Sequence, residues 1–338
     1  MTRNSDSITI RDVARQAGVS VATVSRYLNN SAPVSEKVSE RIEKVMSDLK
    51  YVPHAAARHL ATNKTQIIGL LLTNMHNDFF APLLAGIEVA SRENGYNLLV
   101  GTCQGGSGIT TPIGPHNADG ILVFADSLSD DNLLNLHDRG FPIVLIHRTA
   151  PKNVDIPSVT VENKNATRQL INHLIVSHGK QRILFLHGPR NQEDSYWRYL
   201  GYQTALETHG ISLDPSLEVE GRFERDVAFK NLCEHIDNNS DLKFDAVFAG
   251  DDDAAVGVIN ALKEKGYRIP EQIAVVGFDD SRMSPFLMPP LTTVRAPTEE
   301  VGRVATQQLL NLLSGEKTQE NTILLPTEII IRNSCGCI

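Results

Sequence analysis

The sequence predicts a small all-α head followed by a larger α/β body built on parallel sheets, and three observations carry that expectation. A length of 338 residues exceeds one ordinary domain and suggests two or three. The formal charge of −8 is unevenly spread: residues 1–65 carry ten Lys/Arg against six Asp/Glu, and the remainder carries twenty-two against thirty-four. Hydrophobic spacing changes at the same place. Helical repeats run to Leu49, whereas short continuous apolar runs alternate with longer amphipathic ones from Ile67 onward.

The composition narrows the function classes. With 41% apolar and 21% charged residues, a buried core is feasible and wholesale disorder is not expected. No run of about 18 apolar residues occurs, and Met1 to Ser7 is polar, so neither a membrane span nor a secretory leader is expected. Four cysteines are too sparse to staple such a chain, which fits a reducing cytoplasm. No phosphate loop, nucleophile elbow or catalytic carboxylate pair stands out, so neither an enzyme nor a cofactor is expected.

In the head, Val13, Ala14 and Ala17 share a helical face from Ile10 until Gly18 breaks it. Ser20 can cap a second helix, Val21 to Leu28, with Val24 and Leu28 four apart and facing inward. A third helix, about Ser35 to Leu49, places Val38, Ile42, Val45 and Leu49 on one face. Two helices joined by a Gly-containing turn and backed by a third read as helix-turn-helix. Val21, Ala22, Ser25 and Arg26 are then exposed and able to enter a major groove, with Arg26 able to bind guanine through two donors. A helical mini-domain that binds nothing has the same periodicity. After Tyr51-Val52-Pro53, a short fourth helix is expected over His54 to Thr62, since proline suits a first turn.

In the body, strands are expected at Ile67–Leu72, Leu98–Val100, Gly120–Phe124, Ile143–Ile146, Ile183–Leu186, Ala246–Ala249 and Ile273–Gly277, with a helix near Ala81 to Asn94. Continuous apolar strands between helices imply parallel sheets covered on both faces, whose ligands bind beyond the carboxyl ends of the strands. Phe79 and Phe80, Asp251-Asp252-Asp253 and Phe278-Asp279-Asp280 all follow strands, and Arg198 is expected in the first turn of a helix through Gly201 and Leu206. Aromatic faces, paired carboxylates and one arginine suit a polyhydroxylated ring. Each residue also has a plain structural alternative, as core, cap or ion pair.

The runs "ITIRDVARQAGVSVATVSRYLNN" and "VSEKVSERIEKVMSDLKYVPHAAARHL" resemble the head of the lactose/galactose repressor (LacI/GalR) family. That resemblance implies that Val21, Ala22 and Arg26 read base edges while Thr9, Ser20, Thr23, Ser25 and Asn29 position the DNA backbone. It makes His54 to Thr62 a hinge helix contacting DNA through His54, Ala57 and Leu60, with Leu60 wedged into the minor groove. His54 stands where most members have Asn.

"DDDAAVG", "YRIPEQIAVVGFDD" and "PPLTTV" are similar to the effector module of the same family, itself periplasmic-binding-protein-like with two parallel-sheet subdomains. The resemblance implies a helix-turn-helix domain over 1–52, a hinge over 53–65 and an effector and dimerisation module over 66–338. The module would divide into lobes of about 66–161 with 292–325 and about 162–291 with 326–338. Phe79, Phe80, Arg198, Phe223, Asp251 and Asp279 fall on effector-contact positions, with Asp251 replacing the usual Asn, a change from amide to pure acceptor. The expected protein is a repressor acting as a homodimer, not a tetramer, on a palindromic double-stranded DNA operator. Acidic residues outnumber cations among the pocket candidates, so the expected effector is a neutral sugar or nucleoside. A cytoplasmic sugar-binding protein without operator recognition is the alternative.

Two features depart from the pattern. Where the family has an amphipathic helix, Gly101 to Ala118 is rich in Gly and Pro with no charge before Asp119, so a coil that leaves the sheet face poorly covered, or a locally altered reading frame, is expected. Cys335-Gly336-Cys337 has no His or Cys near it in sequence, so no metal site is expected. His54, His59, His76 and His187 show no metal spacing either.

Overall fold

The computed structural model describes residues 8–29, 32–51, 64–76, 78–103, 111–239, 241–316 and 321–337. The chain divides into two compact units, Met1–Thr65 and Gln66–Ile338. The expected hinge helix with His54, Ala57 and Leu60 lies outside the described residues, as does most of Gly101 to Thr110.

The first unit is built from α1 (Ile10–Ala17), α2 (Val21–Asn29) and α3 (Glu36–Leu49). Its core is Val13, Ala14, Ala17, Val24, Ile42 and Val45, the residues that helical spacing places inward. Thr9 and Asp12 form a capping box: the Thr9 amide and hydroxyl donate to Asp12 Oδ2 at 3.0 and 2.7 Å. Tyr27 Oη donates to Glu43 Oε1 at 2.5 Å and ties α2 to α3, a bond that pushes the phenol up to about 12.

The second unit begins with β1 (Ile67–Leu72), α4 (Phe80–Glu93), β2 (Asn97–Thr102), β3 (Gly120–Phe124), α5 (Asp130–Asp138), β4 (Ile143–Ile146) and β5 (Ser158–Val161). It continues with α6 (Asn163–His178), β6 (Ile183–His187), α7 (Glu193–Thr208), β7 (Glu218–Glu220), α8 (Arg225–Asn238), β8 (Ala246–Ala249), α9 (Asp252–Glu264) and β9 (Ala274–Val276). It closes with β10 (Thr293–Arg295), α10 (Thr298–Ser314), β11 (Thr322–Leu325) and β12 (Glu328–Ile330).

Six parallel strands form one sheet in the order β11-β5-β4-β3-β1-β2, and four more form a second in the order β7-β6-β8-β9. A small antiparallel pair, β10 with β12, accompanies them. Of the strands read as continuous apolar runs, β3, β4, β6 and β8 are buried along their length, as helices on both faces require, whereas β2 at the edge of its sheet is half-buried to exposed. β5, β7, β10, β11 and β12 were not expected; they have three or four residues each, and of them β11 alone holds an apolar run, Ile323 to Leu325, as long as that of β2. The first sheet is assembled from two separated segments, β1 to β5 and β11, the second from the continuous segment β6 to β9, and the β10–β12 pair flanks β11 in sequence.

Two sequence expectations change here. Helix α7 starts at Glu193, so Arg198 lies in its second turn rather than its first. Thr111 to Ala118 forms turns instead of a bare coil, and Ile113 is fully buried against Gly69, Gly101 and Ile121. One apolar side chain thereby covers part of the β1/β2 face that a missing helix would otherwise leave bare. Among the described residues, no helix is long and apolar enough to cross a membrane.

Candidate functional site

In the first unit, the four residues expected to face a groove lie together. Val21 is 42% exposed, Ala22 and Arg26 are exposed, and Ser25 is half-buried, while Val24 on the opposite face is buried. Ser20 Oγ accepts from the Thr23 amide at 3.1 Å and lies 2.9 Å from Thr23 Oγ1. Ser20 and Thr23 therefore fix the start of α2, as Thr9 fixes the start of α1; each hydroxyl retains lone pairs but already has a structural task. Asn29 closes α2.

In the second unit, a cleft of about 1330 Å³ opens where the carboxyl ends of the strands converge. Phe79, Phe80 and Asp78 line it after β1, Phe124 to Asp126 after β3, and His147 after β4. From the second sheet come Pro189 to Gln192, Arg222 to Asp226, Asp251 and Asp279. All six expected residues, Phe79, Phe80, Arg198, Phe223, Asp251 and Asp279, reach this one cleft. Their roles differ. Phe80 is 6% exposed and packs edge-on against Phe124 at 5.1 Å, so it is chiefly core that backs Phe79, the half-buried ring.

Arg198 organises the floor. Its guanidinium is buried, donating to Asn163 Oδ1 at 2.9 Å, to the Gly250 carbonyl at 2.6 Å and to Asp279 Oδ1 at 3.2 Å. It also stacks 3.7 Å above the Phe278 ring and lies 5.3 Å from that of Phe223. A planar guanidinium can reach three spread acceptors from its edge while its face lies on a ring; a compact ammonium cannot do both. The Phe223 ring fills the space where Gly188 has no side chain, and a Cβ there would stand 2.1 Å from Cζ. His147, Arg222, Phe223, Asp279 and Asp280 all adopt positive φ, a costly backbone conformation for such residues and one that clusters where side chains must be aimed.

The acids separate by environment. Asp251 caps α9 by accepting from the Ala254 amide at 2.8 Å, and burial pushes its carboxyl up to about 7, with Asp253 adding to the rise and Arg198 opposing it. Burial likewise holds Asp279 well above the carboxylate range despite Arg198, and Asp251 adds repulsion. Each carboxyl disfavours ionisation of the other, because two like charges out of water repel. Asp194 behaves oppositely: burial would raise it, but His147 at 2.7 Å, together with Arg198 and Asn163, holds it below its ordinary value.

Not every acid expected near the pocket serves it. Asp252 turns into the protein, accepting from Ser281, Ser284 and Thr293, and Asp280 is held by Arg295 and Arg332. Arg198 is also joined by other cations, since Arg190, Arg222 and Arg225 line the cleft and Arg225 pairs with Asp253 at 2.9 Å. Carboxylates remain in excess, nine against four arginines.

Some members of this network were not singled out from the sequence. His147 pairs with Asp194, and Asn163 holds both Arg198 and Asp194; only the fold brings these two there, whereas Asp194 stands one turn before Arg198 on α7. At the rim, Asn191 and Gln192 donate to Asp126 at 2.5 and 3.0 Å, and Thr149 donates to Glu193, joining the two sheets' loops. Short polar residues in loops carry no periodic signal that could have pointed to them.

Comparison with known proteins agrees with this architecture. Residues 9–54 match the family described as bacterial regulatory proteins, lacI family, and residues 171–335 match a periplasmic binding protein-like domain. The chain is 32% identical to the HTH-type transcriptional regulator RegA of Clostridium saccharobutylicum, over 96% of this chain and 98% of that protein. It is similar to the lac repressor dimer bound to operator and the anti-inducer ONPF, with a TM-score of 0.82, 26% identity and coverage of 97% and 99% of the two chains. It also resembles a transcriptional regulator CelR–cellobiose complex, with a TM-score of 0.70, 30% identity and the same coverage.

Proposed function

The chain belongs to the lacI family of bacterial regulatory proteins, and on that premise we propose that it represses transcription from a palindromic operator whose occupancy is set by a neutral sugar or nucleoside in the cleft. Like its relatives it is a DNA-binding transcriptional regulator and not an enzyme. The observation that carries the effector assignment is the convergence of Phe79, Arg198, Phe223, Asp251 and Asp279 on one acid-rich cleft. Aromatic faces can stack on a ring, and acceptors beside a single buried guanidinium suit hydroxyl groups; a phosphate or carboxylate ligand would meet net repulsion.

The proposed assignments are as follows. Residues 1–52 form the DNA-binding domain, 53–65 the hinge and 66–338 the effector and dimerisation module. The module's lobes are about 66–161 with 292–325 and about 162–291 with 326–338. Val21, Ala22 and Arg26 read base edges; Thr9, Ser20, Thr23, Ser25 and Asn29 position the backbone; His54, Ala57 and Leu60 act through the hinge. The protein works as a homodimer in the cytoplasm, where its operator is, because two-fold symmetry matches two half-sites. An effector that binds one lobe angle better than another shifts operator affinity by that difference and by no more.

Footprinting on the gene's own upstream region, with a panel of sugars and nucleosides, tests this. Protection of a two-fold site that one neutral compound releases or tightens is the expected result, and Asp279→Asn should keep the footprint but lose the response. Salt-sensitive protection without a defined site would favour a sugar-binding protein that no longer reads an operator. A response confined to sugar acids or sugar phosphates would remove the neutral-ligand assignment.

A further inference from the structure

The sequence neighbourhood of Cys335 and Cys337 offers no other metal ligand, but the fold supplies two. Helix α6 ends at His178, and His173 and His178 on its last turns face the C-terminal Cys335-Gly336-Cys337, with Cys337 lying 159 residues beyond His178. One ligand atom from each of the four lies within 4.8 Å of every other. The two imidazole Nε2 atoms are 3.3 Å apart, Cys337 Sγ is 3.3 Å from His178 Nε2 and 3.6 Å from His173 Nε2, and Cys335 Sγ is 3.6 Å from His173 Nε2.

These four separations match edges of a coordination tetrahedron to within about 0.3 Å. With Zn–N of about 2.0–2.1 Å and Zn–S of about 2.3 Å, tetrahedral angles give N···N near 3.3 Å and S···N near 3.6 Å. The surroundings fit as well. Cys335 is buried and free, Thr292 Oγ1 lies 3.1 Å from its sulfur, and the other three residues are half-buried, which leaves a path from solvent. Gly336 lets the chain double back: its φ is +107°, and a Cβ there would stand 3.2 Å from His178 Nδ1.

We propose that His173, His178, Cys335 and Cys337 form a structural zinc site that fastens the C-terminal turn to the end of α6. Two thiolates and two neutral imidazoles complete a closed tetrahedral S₂N₂ shell around one divalent soft-to-borderline metal, and binding releases the two thiol protons to solvent. With no open position left, the metal holds the chain and does no chemistry. It lies at one end of the helix whose other end presents Asn163 to Arg198.

The full chain, purified under reducing conditions with a histidine-free tag, should carry one zinc per chain by elemental analysis. After zinc removal, Co²⁺ added to the wild-type protein should give thiolate-to-cobalt charge transfer and intense tetrahedral d–d absorption. Cys337→Ser should weaken the charge transfer, and His178→Ala should lose the tetrahedral spectrum, with far-ultraviolet circular dichroism unchanged. A metal-free wild-type preparation whose cobalt spectrum is weak and octahedral, or a Cys335–Cys337 disulfide persisting under reducing conditions, would overturn the proposal. The wild-type measurements decide it even if a variant fails to fold, and they are independent of whether an operator or effector is found.

Discussion

Arg198 Nη2 lies 3.2 Å from Asp279 Oδ1 on the floor of the cleft, joining the second turn of α7 to the loop after β9. Neither residue can be changed without consequence for the other, because Arg198 is buried, the Asp279 side chain is only 11% exposed, and each offsets the cost of desolvating its partner.

Replacing Arg198 with Ala should therefore cost stability as well as ligand binding. Removing one member of a buried pair costs about 3–5 kcal/mol where the other keeps its charge; without Arg198, the influence that favours ionised Asp279 is lost and burial remains. Thermal unfolding should show a Tm lower by on the order of 10 °C. An unchanged Tm would mean that the acids simply take up protons and that the arginine serves ligand alone.

Asp251→Asn should stabilise the ligand-free protein at pH 8. The folded carboxyl is raised to about 7 from an ordinary 3.8, so between those values the folded state holds a proton that the unfolded state has lost. Stability contributed by this group thus falls as pH rises through that window and stays low above it. Asn removes the titration yet can still cap α9. The variant's Tm should exceed the parent's by a few degrees, on the order of what one buried charge costs, at pH 8, and the gap should close near pH 4. A constant gap across pH would contradict this.

Gly188→Ala should impair effector binding without direct contact between the new methyl and the ligand. The added Cβ would meet the Phe223 ring at 2.1 Å, so the ring must move. Overpacking of this kind costs about 1–3 kcal/mol. Calorimetric affinity for the compound found in the footprinting panel should fall by about that amount, while the footprint without effector stays intact. Unaltered affinity would place Phe223 outside the binding surface.

Arg26→Ala should lower operator affinity by about 1–3 kcal/mol and relax the choice of base at one position of each half-site. Quantitative footprinting over single-base operator variants reads this directly. A uniform loss across all variants would make Arg26 a phosphate contact instead. Leu60→Ala should weaken the palindromic site more than an isolated half-site, because the proposed hinge contact acts at its centre.

The head was legible because its information is local. Val13 with Ala17, Val24 with Leu28, and Ile42 with Val45 stand at helical spacing, Gly18 and Ser20 mark the turn, and each signal lies within a few residues of the structure it specifies. The buried central strands were legible for the same reason. The short strands β5, β7, β10, β11 and β12 were not, because three or four residues of mixed polarity become a strand only when a neighbour supplies hydrogen-bond partners.

The sequence by itself determined two units of opposite charge, a helix-turn-helix with Arg26 exposed, and a set of aromatic and acidic residues at strand ends. Only the tertiary structure decided what those residues do. It set Phe80 behind Phe79, turned Asp252 and Asp280 toward structural partners, and brought His147 to Asp194 and Asn163 to Arg198. It also carried Cys335 and Cys337 to His173 and His178. The reason is physical: periodicity reports which side of an element is buried, whereas hydrogen bonds, ion pairs and metal ligation depend on separations of a few ångströms between residues far apart in the chain.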